Sequence, residues 1–399
     1  MKVLLIGDGI RLTTGFSQVL NHVAGALVAR GDEVAQIACL DGAPDCDSRY
    51  YWERGVQPFF PLDNIGFSIL QDTLWRFAPD RIVMNVDPGM GYSWLKHLRA
   101  CSNRAPIVFY TPIEGRPIHR QYCEALAADG VTTILYTEGA ADEVAATCGL
   151  RCAWVPHGVD TSVWHPLTPA ERAGVRAQLG WTDKFVAMYV GRNCYRKAQD
   201  VLIEAMPSVI AAEPDSRLYL HCATFDDSWG QGWDLGWMAE TYGVADHVEF
   251  PQRQSALFGE AEVSLARKLA ASDLYVHPAL VEGLGLPLLE AMACGTPVVI
   301  PEDEWAMEEV VDTAYFAKLK TYRRPPWFTG ALLSPTMPQQ WADVIVAAQR
   351  MPPEELAAAG ARGLARAREF TWERMTDTLL DAIDRAEFAP TAREAVASV

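Results

Sequence analysis

The sequence predicts an α/β protein with two doubly wound parallel-sheet domains. Two segments, beginning at Lys2 and at Lys184, open with a short apolar run that ends in glycine and continues through a polar loop into a helical pattern. Such a strand–loop–helix start is typical of a doubly wound α/β unit, and it occurs once in each half of the 399-residue chain. Since one domain takes roughly 150 residues, the chain has room for two such sheets.

The first domain is predicted to span residues 1–165 and the second residues 166–371. The boundary is placed at HPLTPAERAG, after Trp164, because prolines interrupt the periodic pattern there. A final helix is expected over about residues 372–388, after Thr371 in the N-cap position, and residues 389–399 are expected to form a loose tail. Further buried strands are expected at Arg81–Val86, Ile107–Tyr110, Thr133–Tyr136, Ala153–Val155, Arg217–His221, His247–Phe250, Leu274–His277 and Pro297–Ile300.

The composition is that of an ordinary globular protein, with 50% hydrophobic and 21% charged residues. A formal net charge of −17 argues against nucleic acid or an anionic membrane as the main partner. The 9 cysteines are odd in number and form no C-x-x-C pair, which favours reduced thiols in a cytoplasmic protein. No apolar run approaches the roughly 20 residues that span a bilayer, and the N-terminal run is too short for a signal peptide.

The strongest chemical signal is VEGLGLPLLEAMACGTPVV, residues 281–299. Pro287 suits the first turn of a helix and Gly295 suits its end. The loop before that helix consists of Gly283, Leu284, Gly285 and Leu286. Unpaired N–H groups and the helix dipole favour an anion at such a loop, and Glu282 and Glu290 on either side suit hydroxyls. The stretch therefore predicts a site for a nucleotide-diphosphate sugar; the alternative is an ordinary strand–loop–helix with two solvated acids.

Two loops that follow predicted strands support this interpretation. In VGRNCYRKAQD, Arg192 and Lys197 come directly after a strand, where two cations can neutralise a diphosphate leaving group; taken alone, they could also be solubilising charges. In GDGIRLTTGFSQVL, backbone amides at Thr13, Thr14 and Gly15 could approach the phosphates. This second loop lacks the G-x-G-x-x-G spacing, so a dinucleotide-binding domain is not supported.

Three motifs together resemble the signatures of family 4-type retaining glycosyltransferases: VPHGVDTSVWHP, VGRNCYRKAQDVLIEAM and HPALVEGLGLPLLEAMACGTPVV. The resemblance covers most of the chain. It implies the GT-B fold, in which two Rossmann-like domains face a cleft and the last helix crosses back to the first domain. By this resemblance Glu290 would bind the ribose hydroxyls and Glu282 would lie at the donor sugar. Arg192 and Lys197 would hold the diphosphate, on which Gly15 would close from the first domain.

The chain departs from the family pattern at three places. Ala198 stands where the family usually has glycine, which changes backbone freedom more than chemistry. Where the family often has a His or Asp, VFYTPIEGRPIHRQ offers Glu114 as a catalytic cleft residue, or His119, which could instead begin a helix. Residues 315–330 do not match the family and are interpreted as a solvated insertion or, alternatively, a docking segment for an acceptor or partner. The docking residues would be Lys318, Lys320, Arg323, Arg324 and Trp327.

Other single features receive structural interpretations. His157, beside Gly158, is expected to position backbone in a loop that lies at the cleft in the family. Asp226 and Asp227 have no companion carboxylate or histidine cluster in the sequence, so no metal is expected. The four-residue spacing of Trp229, Trp233 and Trp237 is that of a helix and favours a role in packing.

The sequence therefore predicts a retaining, metal-independent glycosyltransferase that moves a sugar from a UDP- or GDP-sugar to an acceptor hydroxyl, without a cofactor. The departing diphosphate would take the acceptor proton, which would explain why no strong general base is visible. Within the fold, a nucleotide-sugar 2-epimerase or a sugar phosphorylase is the alternative. A non-catalytic sugar- or nucleic-acid-binding protein is the alternative of another class. The acceptor is left open among glycans, lipid-linked sugars, small molecules and modified nucleic acid.

Overall fold

The computed structural model describes residues 1–41, 47–226, 232–251, 259–302, 305–322 and 331–387. The chain divides into two compact units. The first unit comprises Met1–Gly158 together with the chain from Trp372 onward, and the second comprises Val159–Thr371. The predicted tail, residues 389–399, lies outside the described residues. In the described ranges, no helix combines the length and the apolar character that crossing a membrane requires.

The first unit contains a seven-stranded parallel sheet. Its strands are β1 (Lys2–Asp8), β2 (Glu33–Cys39), β3 (Val56–Phe59), β4 (Arg81–Asn85), β5 (Ile107–Thr111), β6 (Val131–Leu135) and β7 (Ala153–Trp154). They lie in the order β3-β2-β1-β4-β5-β6-β7. The helices between them are α1 (Gly15–Arg30), α2 (Ser48–Trp52), α3 (Leu70–Phe77), α4 (Pro88–Ala100), α5 (Cys123–Leu126) and α6 (Glu138–Cys148).

The second unit contains a six-stranded parallel sheet in the order β10-β9-β8-β11-β12-β13. These strands are β8 (Phe185–Val190), β9 (Ser216–His221), β10 (Val248–Glu249), β11 (Leu274–Val276), β12 (Val298–Pro301) and β13 (Ala317–Leu319). Its helices are α7 (Pro169–Leu179), α8 (Asp200–Ala212), α9 (Leu235–Thr241), α10 (Glu262–Ala271), α11 (Leu286–Ala293), α12 (Trp305–Val311), α13 (Pro338–Arg350) and α14 (Pro353–Ala367). The two doubly wound parallel sheets confirm the predicted fold class.

The chain returns to the first unit in α15 (Trp372–Arg385), as expected from the sequence. The Trp372 ring stacks on His22 of α1, with ring centroids 3.9 Å apart. Arg81 at the start of β4 donates a 3.0 Å hydrogen bond to the carbonyl of Ile383. The helix buries an apolar stripe with the three- and four-residue spacing of one helical face, formed by Trp372, Met375, Leu379 and Ile383.

Local geometry explains the boundaries of α1. Thr14 accepts a hydrogen bond from the Ser17 amide at 3.1 Å and donates one to Asp8 at 2.5 Å, which caps the helix and ties it to the end of β1. The helix ends at Gly31, which has a φ of 92°, a left-handed conformation that glycine adopts without strain. Gly7 precedes this loop, and a Cβ there would lie 2.5 Å from the Asn85 carbonyl oxygen. Only glycine therefore allows β1 to pass this close to β4.

Arg176 of α7 links the start of β11 to neighbouring segments of the second unit. Its buried guanidinium donates hydrogen bonds to the carbonyls of Ala271 and Trp181, each at 2.8 Å, and to Asp273 at 3.0 Å. The same Asp273 carboxylate accepts a 2.8 Å bond from the Val186 amide in β8. Because Asp273 directly precedes β11, this network fixes the starts of β8 and β11 beside each other.

Strand prediction succeeded for most of the two sheets and missed β2, β3 and β13. The strands named from the sequence appear to within about two residues at either end. In β2 the pattern is broken by Gln36, which is buried because its side chain donates to the Asp8 carbonyl at 2.9 Å and accepts from the Ile10 amide at 3.2 Å. A buried glutamine with paired polar groups does not show in hydrophobic periodicity.

The interpretation of residues 315–330 as an insertion is wrong where the structure describes them. Residues 317–319 form β13, which pairs in parallel with β12. Lys318 lies 3.4 Å from Glu308, so this cation is paired within the unit. Arg323, Arg324 and Trp327 lie outside the described residues.

The expectation of reduced thiols is also wrong for one pair, since Cys123 and Cys148 form a disulfide between α5 and α6.

His157 lies in a buried aromatic cluster of the first unit. Its Nδ1 is 2.8 Å from the Tyr110 hydroxyl, and its ring packs edge-on to Tyr136 and stacks with Trp372. Burial lowers the pKa of His157 to about 3. His157 therefore packs against the returning helix α15, and its expected role in positioning backbone stays a prediction.

This burial predicts an acid-sensitive first unit. In the unfolded chain His157 takes a proton near pH 6.5, whereas in the folded unit it stays neutral down to about pH 3. Stability is therefore unaffected by His157 above pH 6.5 and falls by roughly 1.4 kcal/mol per pH unit below it. Urea unfolding at pH 7 and pH 5 should show a smaller acid loss in His157→Gln than in the wild type. The exposed His165→Gln variant is the control; an equal acid loss in all three proteins would contradict the prediction.

Candidate active site

The candidate site lies at the carboxyl edge of the second sheet, where β8 and β11 are neighbours. The loop after β8 carries Arg192 and Lys197, and the loop after β11 carries Glu282. Because parallel neighbours end at the same edge of a sheet, the two loops meet there. The backbone records this contact, since the Leu280 amide donates to the Arg196 carbonyl at 2.7 Å.

The loop after β11 ends in the predicted helix N-terminus. Gly285 is the N-cap residue of α11 and has a φ of 92°, a left-handed conformation suited to glycine. Pro287 lies in the first turn, and Gly295 follows the helix with a φ of 73°. The first N–H groups of a helix have no partner inside it, so the loop can present backbone donors to an anion. Its residues are all buried within the unit: Gly283, Leu284, Gly285 and Leu286.

Glu282 forms the centre of a buried charge cluster. Only 4% of the residue is exposed. One of its carboxylate oxygens contacts the Lys197 ammonium and lies 3.1 Å from Nε2 of His277, and the other lies 3.5 Å from Arg196. Burial raises the pKa of Glu282, but the charge of Lys197, the hydrogen bond from His277 and the charge of Arg196 outweigh it and hold the pKa well below its usual range. The carboxylate is therefore ionised at every pH near neutrality.

His277 supports this carboxylate from the end of β11. The residue is fully buried, and burial lowers its pKa, so the ring is neutral near pH 7. A carboxylate only accepts hydrogen bonds, so Nε2 of His277 is the donor to Glu282. The other ring nitrogen, Nδ1, lies 3.1 Å from the Tyr275 hydroxyl, whose single proton is shared between this nitrogen and the Val190 carbonyl at 3.3 Å. Tyr275, His277 and Glu282 thus form one hydrogen-bond chain.

The sequence analysis did not foresee that Lys197 and Glu282 contact each other. It placed Lys197 at the diphosphate and Glu282 at the sugar as separate groups, and it missed Arg196 and His277. The arginine stands beside Lys197 in the chain and the histidine directly follows β11. These two positions could have drawn attention to Arg196 and His277, but neither position shows that the side chain contacts Glu282.

Arg192 pairs with Asp226 from the loop after β9. Its Nε donates to the Asp226 carboxylate at 3.0 Å. Asp226 was weighed in the sequence as one half of a metal-binding pair, and Asp227, the other half, lies outside the described residues. Over the described residues, His, Cys, Asp and Glu side chains form no group of three or more that could hold a metal ion.

Ala198 occupies a strained backbone position in the loop after β8. Ala198 ends the turn that holds Lys197 and has a φ of 51°, the left-handed conformation that the family's glycine adopts freely. A non-glycine residue there costs about 1–2 kcal/mol, so the departure from the family is a strained backbone position.

Glu290 lies one turn into α11 with 5% of the residue exposed. Its predicted contact with ribose hydroxyls stays a prediction.

The candidate residues of the first unit lie at the carboxyl edge of its own sheet. Thr14 and Gly15 start α1. Glu114 is half-buried in the loop after β5, and His119 accepts a 3.3 Å hydrogen bond from the Gln121 amide at the start of a helical turn. His119 thus begins a helical turn, as the alternative interpretation expected. The parts of these residues in donor binding or catalysis stay predictions.

The predicted helical repeat of three tryptophans is wrong at Trp233. Helix α9 begins at Leu235, after Asp234 in the N-cap position, so Trp233 precedes the helix and Trp237 lies within it. Trp233 is held by Asn193, which donates to its carbonyl at 2.7 Å and accepts from its amide at 3.0 Å. Trp237 is exposed, and Trp229 lies outside the described residues.

Comparison with known proteins places this arrangement among sugar-transferring enzymes. Residues 184–351 match the family model described as glycosyl transferases group 1. A D-inositol 3-phosphate glycosyltransferase of Actinosynnema mirum is 31% identical over 271 residues, which cover 66% of this chain and 59% of that protein. A GDP-mannose-dependent monoacylated alpha-(1-6)-phosphatidylinositol monomannoside mannosyltransferase of Corynebacterium glutamicum is 36% identical over 166 residues, 39% of this chain and 40% of that protein. The chain spans about half the length of the curated relatives it matches.

Solved structures agree on the fold. The Anabaena protein Alr3699/HepE, crystallised with UDP-glucose, superposes with a TM-score of 0.72 at 18% identity, covering 96% of this chain and 99% of that one. Sucrose-phosphate synthase from Thermosynechococcus elongatus gives a TM-score of 0.72 at 19% identity, covering 96% and 98%. These likenesses confirm the two-domain GT-B fold that the sequence predicted.

The buried pair predicts a coupled effect on stability. Lys197→Met removes the ammonium next to a buried carboxylate, and breaking a buried ion pair from one side costs about 3–5 kcal/mol. Lys197→Met combined with Glu282→Gln removes both charges and should recover most of that loss. Denaturant unfolding followed by tryptophan fluorescence measures Lys197→Met, Glu282→Gln and the double variant against the wild type.

The control variant is Lys184→Met, whose partner Asp215 is exposed at the surface of the same unit. Its unfolding midpoint should stay close to that of the wild type. If the double variant is as unstable as the two single losses added together, Lys197 and Glu282 are not energetically coupled.

Proposed function

Since residues 184–351 belong to the group 1 glycosyltransferase family, we propose that the protein is a retaining, metal-independent glycosyltransferase that uses a UDP- or GDP-sugar. The observation that carries the proposal is the ionised Glu282 held by Lys197 at the loop that leads into the N-terminus of α11. A buried carboxylate that is held ionised by paired charges is costly, and such groups cluster at functional sites.

The donor diphosphate would be held by Arg192, Lys197 and the amides before α11. A departing diphosphate accumulates negative charge, and fixed cations and helix N-termini stabilise such charge without reorganising. Each charge-assisted hydrogen bond contributes about 1.5–3 kcal/mol. Lys197 would serve two anions, the Glu282 carboxylate and the donor phosphate, which fits a cation buried in the middle of the cluster.

Glu282 would act at the donor sugar as a fixed negative charge. Because its pKa lies well below the usual range, it cannot serve as a proton donor near neutral pH. It can accept hydrogen bonds from sugar hydroxyls and stabilise the positive charge that develops on the ring as the bond to the diphosphate breaks. The acceptor hydroxyl would attack on the face that the diphosphate leaves and pass its proton to the diphosphate. Glu290 would bind the ribose hydroxyls, and Glu114 is the candidate for an acceptor-side contact in the first unit.

The acceptor is proposed to be a hydroxyl compound. The relatives are named for D-inositol 3-phosphate and for a phosphatidylinositol monomannoside, so a polyol or glycan acceptor is favoured over modified nucleic acid, which the net charge of −17 also opposes. A nucleotide-sugar donor fits a cytoplasmic location, which we propose for this protein.

Nucleotide binding tests the donor site directly. In buffer with excess EDTA, UDP or GDP should raise the unfolding temperature by mass action, as expected for a ligand that binds only the folded protein. Glu290→Gln should reduce that rise because it weakens the ribose contact. The control Glu213→Gln changes a carboxylate at the end of α8, paired with Arg350, and should leave the rise unchanged.

Each result bears on a different part of the proposal. A rise that appears only with a divalent ion would show that the site depends on a metal. No rise with either diphosphate would contradict the donor class. An equal rise in the wild type and Glu290→Gln would remove Glu290 from the donor site.

Stereochemistry tests the mechanism separately. Front-side displacement predicts that the sugar leaves the enzyme with the anomeric configuration of the donor. Proton NMR of freshly released sugar, recorded during slow donor hydrolysis before mutarotation, should show the donor's anomeric coupling. An inverted product would contradict the retaining mechanism and leave the donor assignment standing.

A further inference from the structure

We propose that Asp226 is a positioning residue that holds the Arg192 guanidinium in place for the donor diphosphate. The inference rests on the proposed donor site, and it assigns a role to the loop between β9 and α9. That loop follows the strand next to β8 and carries Asp226, whose carboxylate accepts a 3.0 Å hydrogen bond from Nε of Arg192.

The two partners differ in exposure. The Asp226 side chain is 4% exposed and the Arg192 side chain 38% exposed. The carboxylate is therefore the buried, fixed partner, and the guanidinium extends from it toward solvent. A contact through Nε sets the plane of the guanidinium, because the group is rigid and its donors point in fixed directions.

The backbone around Asp226 is also fixed. Its carbonyl accepts a 3.1 Å hydrogen bond from the Gly232 amide, which closes the loop. A Cβ at Gly232 would lie 2.3 Å from that carbonyl oxygen, so only glycine fits there. The Asn193 side chain, directly after Arg192, donates to the carbonyls of Ala223 at 3.1 Å and Trp233 at 2.7 Å. The arginine loop and the aspartate loop are thus tied together at a residue next to Arg192.

The contacts of Arg192 indicate that Asp226 orders the guanidinium for the donor phosphate and does not merely compete with the phosphate for it. Gln199 donates to the Arg192 carbonyl at 2.6 Å, so both the backbone and the side chain of Arg192 are held before a ligand binds. A long side chain that is already ordered loses less entropy when it contacts a phosphate. Without Asp226, Arg192 would have to be ordered by the donor itself, which should weaken diphosphate binding about three- to tenfold.

The experiment measures the affinities of UDP, GDP, UMP and GMP by isothermal titration calorimetry in the full-length protein. Asp226→Ala should weaken binding of the preferred diphosphate about three- to tenfold and leave the matching monophosphate nearly unchanged, because a misplaced Arg192 affects the second phosphate most. Asp226→Asn keeps an oxygen acceptor for Nε and should lie between the wild type and Asp226→Ala. In the Arg192→Ala background, Asp226→Ala should cause no further loss.

The control is Asp234→Ala in the same loop. Asp234 caps α9 through the Trp237 amide at 2.9 Å and has a different partner from Asp226. Its removal should leave diphosphate affinity unchanged. An equal loss for mono- and diphosphates in Asp226→Ala would indicate a collapsed loop and overturn the positioning role, and so would tighter diphosphate binding. If the wild type binds neither diphosphate, the proposed function itself fails; if the wild type binds and Asp226→Ala binds equally well, only this inference fails.

Discussion

The proposed donor site depends on the ion pair between Lys197 and Glu282. A buried carboxylate is expensive to remove from water and stays charged only where opposite charge and hydrogen bonds replace the lost hydration. Here the ammonium, His277 and Arg196 supply that replacement. Because these groups come from the ends of β8 and β11, the same contacts that keep Glu282 ionised also hold the two loops beside the N-terminus of α11.

The charged groups in this region are paired with one another and leave a small excess of positive charge. Three cations, Arg192, Arg196 and Lys197, face two paired carboxylates, Asp226 and Glu282. In a chain with a net charge of −17, the proposed donor would therefore be met by oriented side chains and backbone amides more than by a broad positive potential. Preorganisation of this kind would stabilise developing charge with little rearrangement, and the strained backbone at Ala198, next to Lys197, shows a stability cost within the same loop.

Local patterns were enough to predict the two sheets, the helix after Glu282 and the last helix, whereas the return of that helix to the first unit was implied only by the family resemblance. They failed at β2, where Gln36 is buried through hydrogen bonds, and at β13, where Lys318 and Lys320 suggested a solvated insertion. The candidate residues Arg192, Lys197, Glu282 and Glu290 were proposed from motifs, but the contacts of Arg192, Lys197 and Glu282 were not foreseen. Asp226 lies 34 positions from Arg192 and Glu282 lies 85 from Lys197. Those contacts follow from the order β9-β8-β11 in the sheet, which a local pattern does not contain.

The return of α15 to the first unit has a consequence for how the chain acquires its structure during synthesis. The second unit is one continuous segment, Val159–Thr371, and all of its strands are available to fold before translation ends. The first unit is discontinuous, and the stacking of Trp372 between His22 and His157 cannot form until α15 leaves the ribosome. At about 5–20 residues per second, the intervening segment delays that step by roughly 10–40 s. The ring faces of His22 and His157 that Trp372 covers are exposed during this interval, so the first unit completes its packing after the second unit has been synthesised.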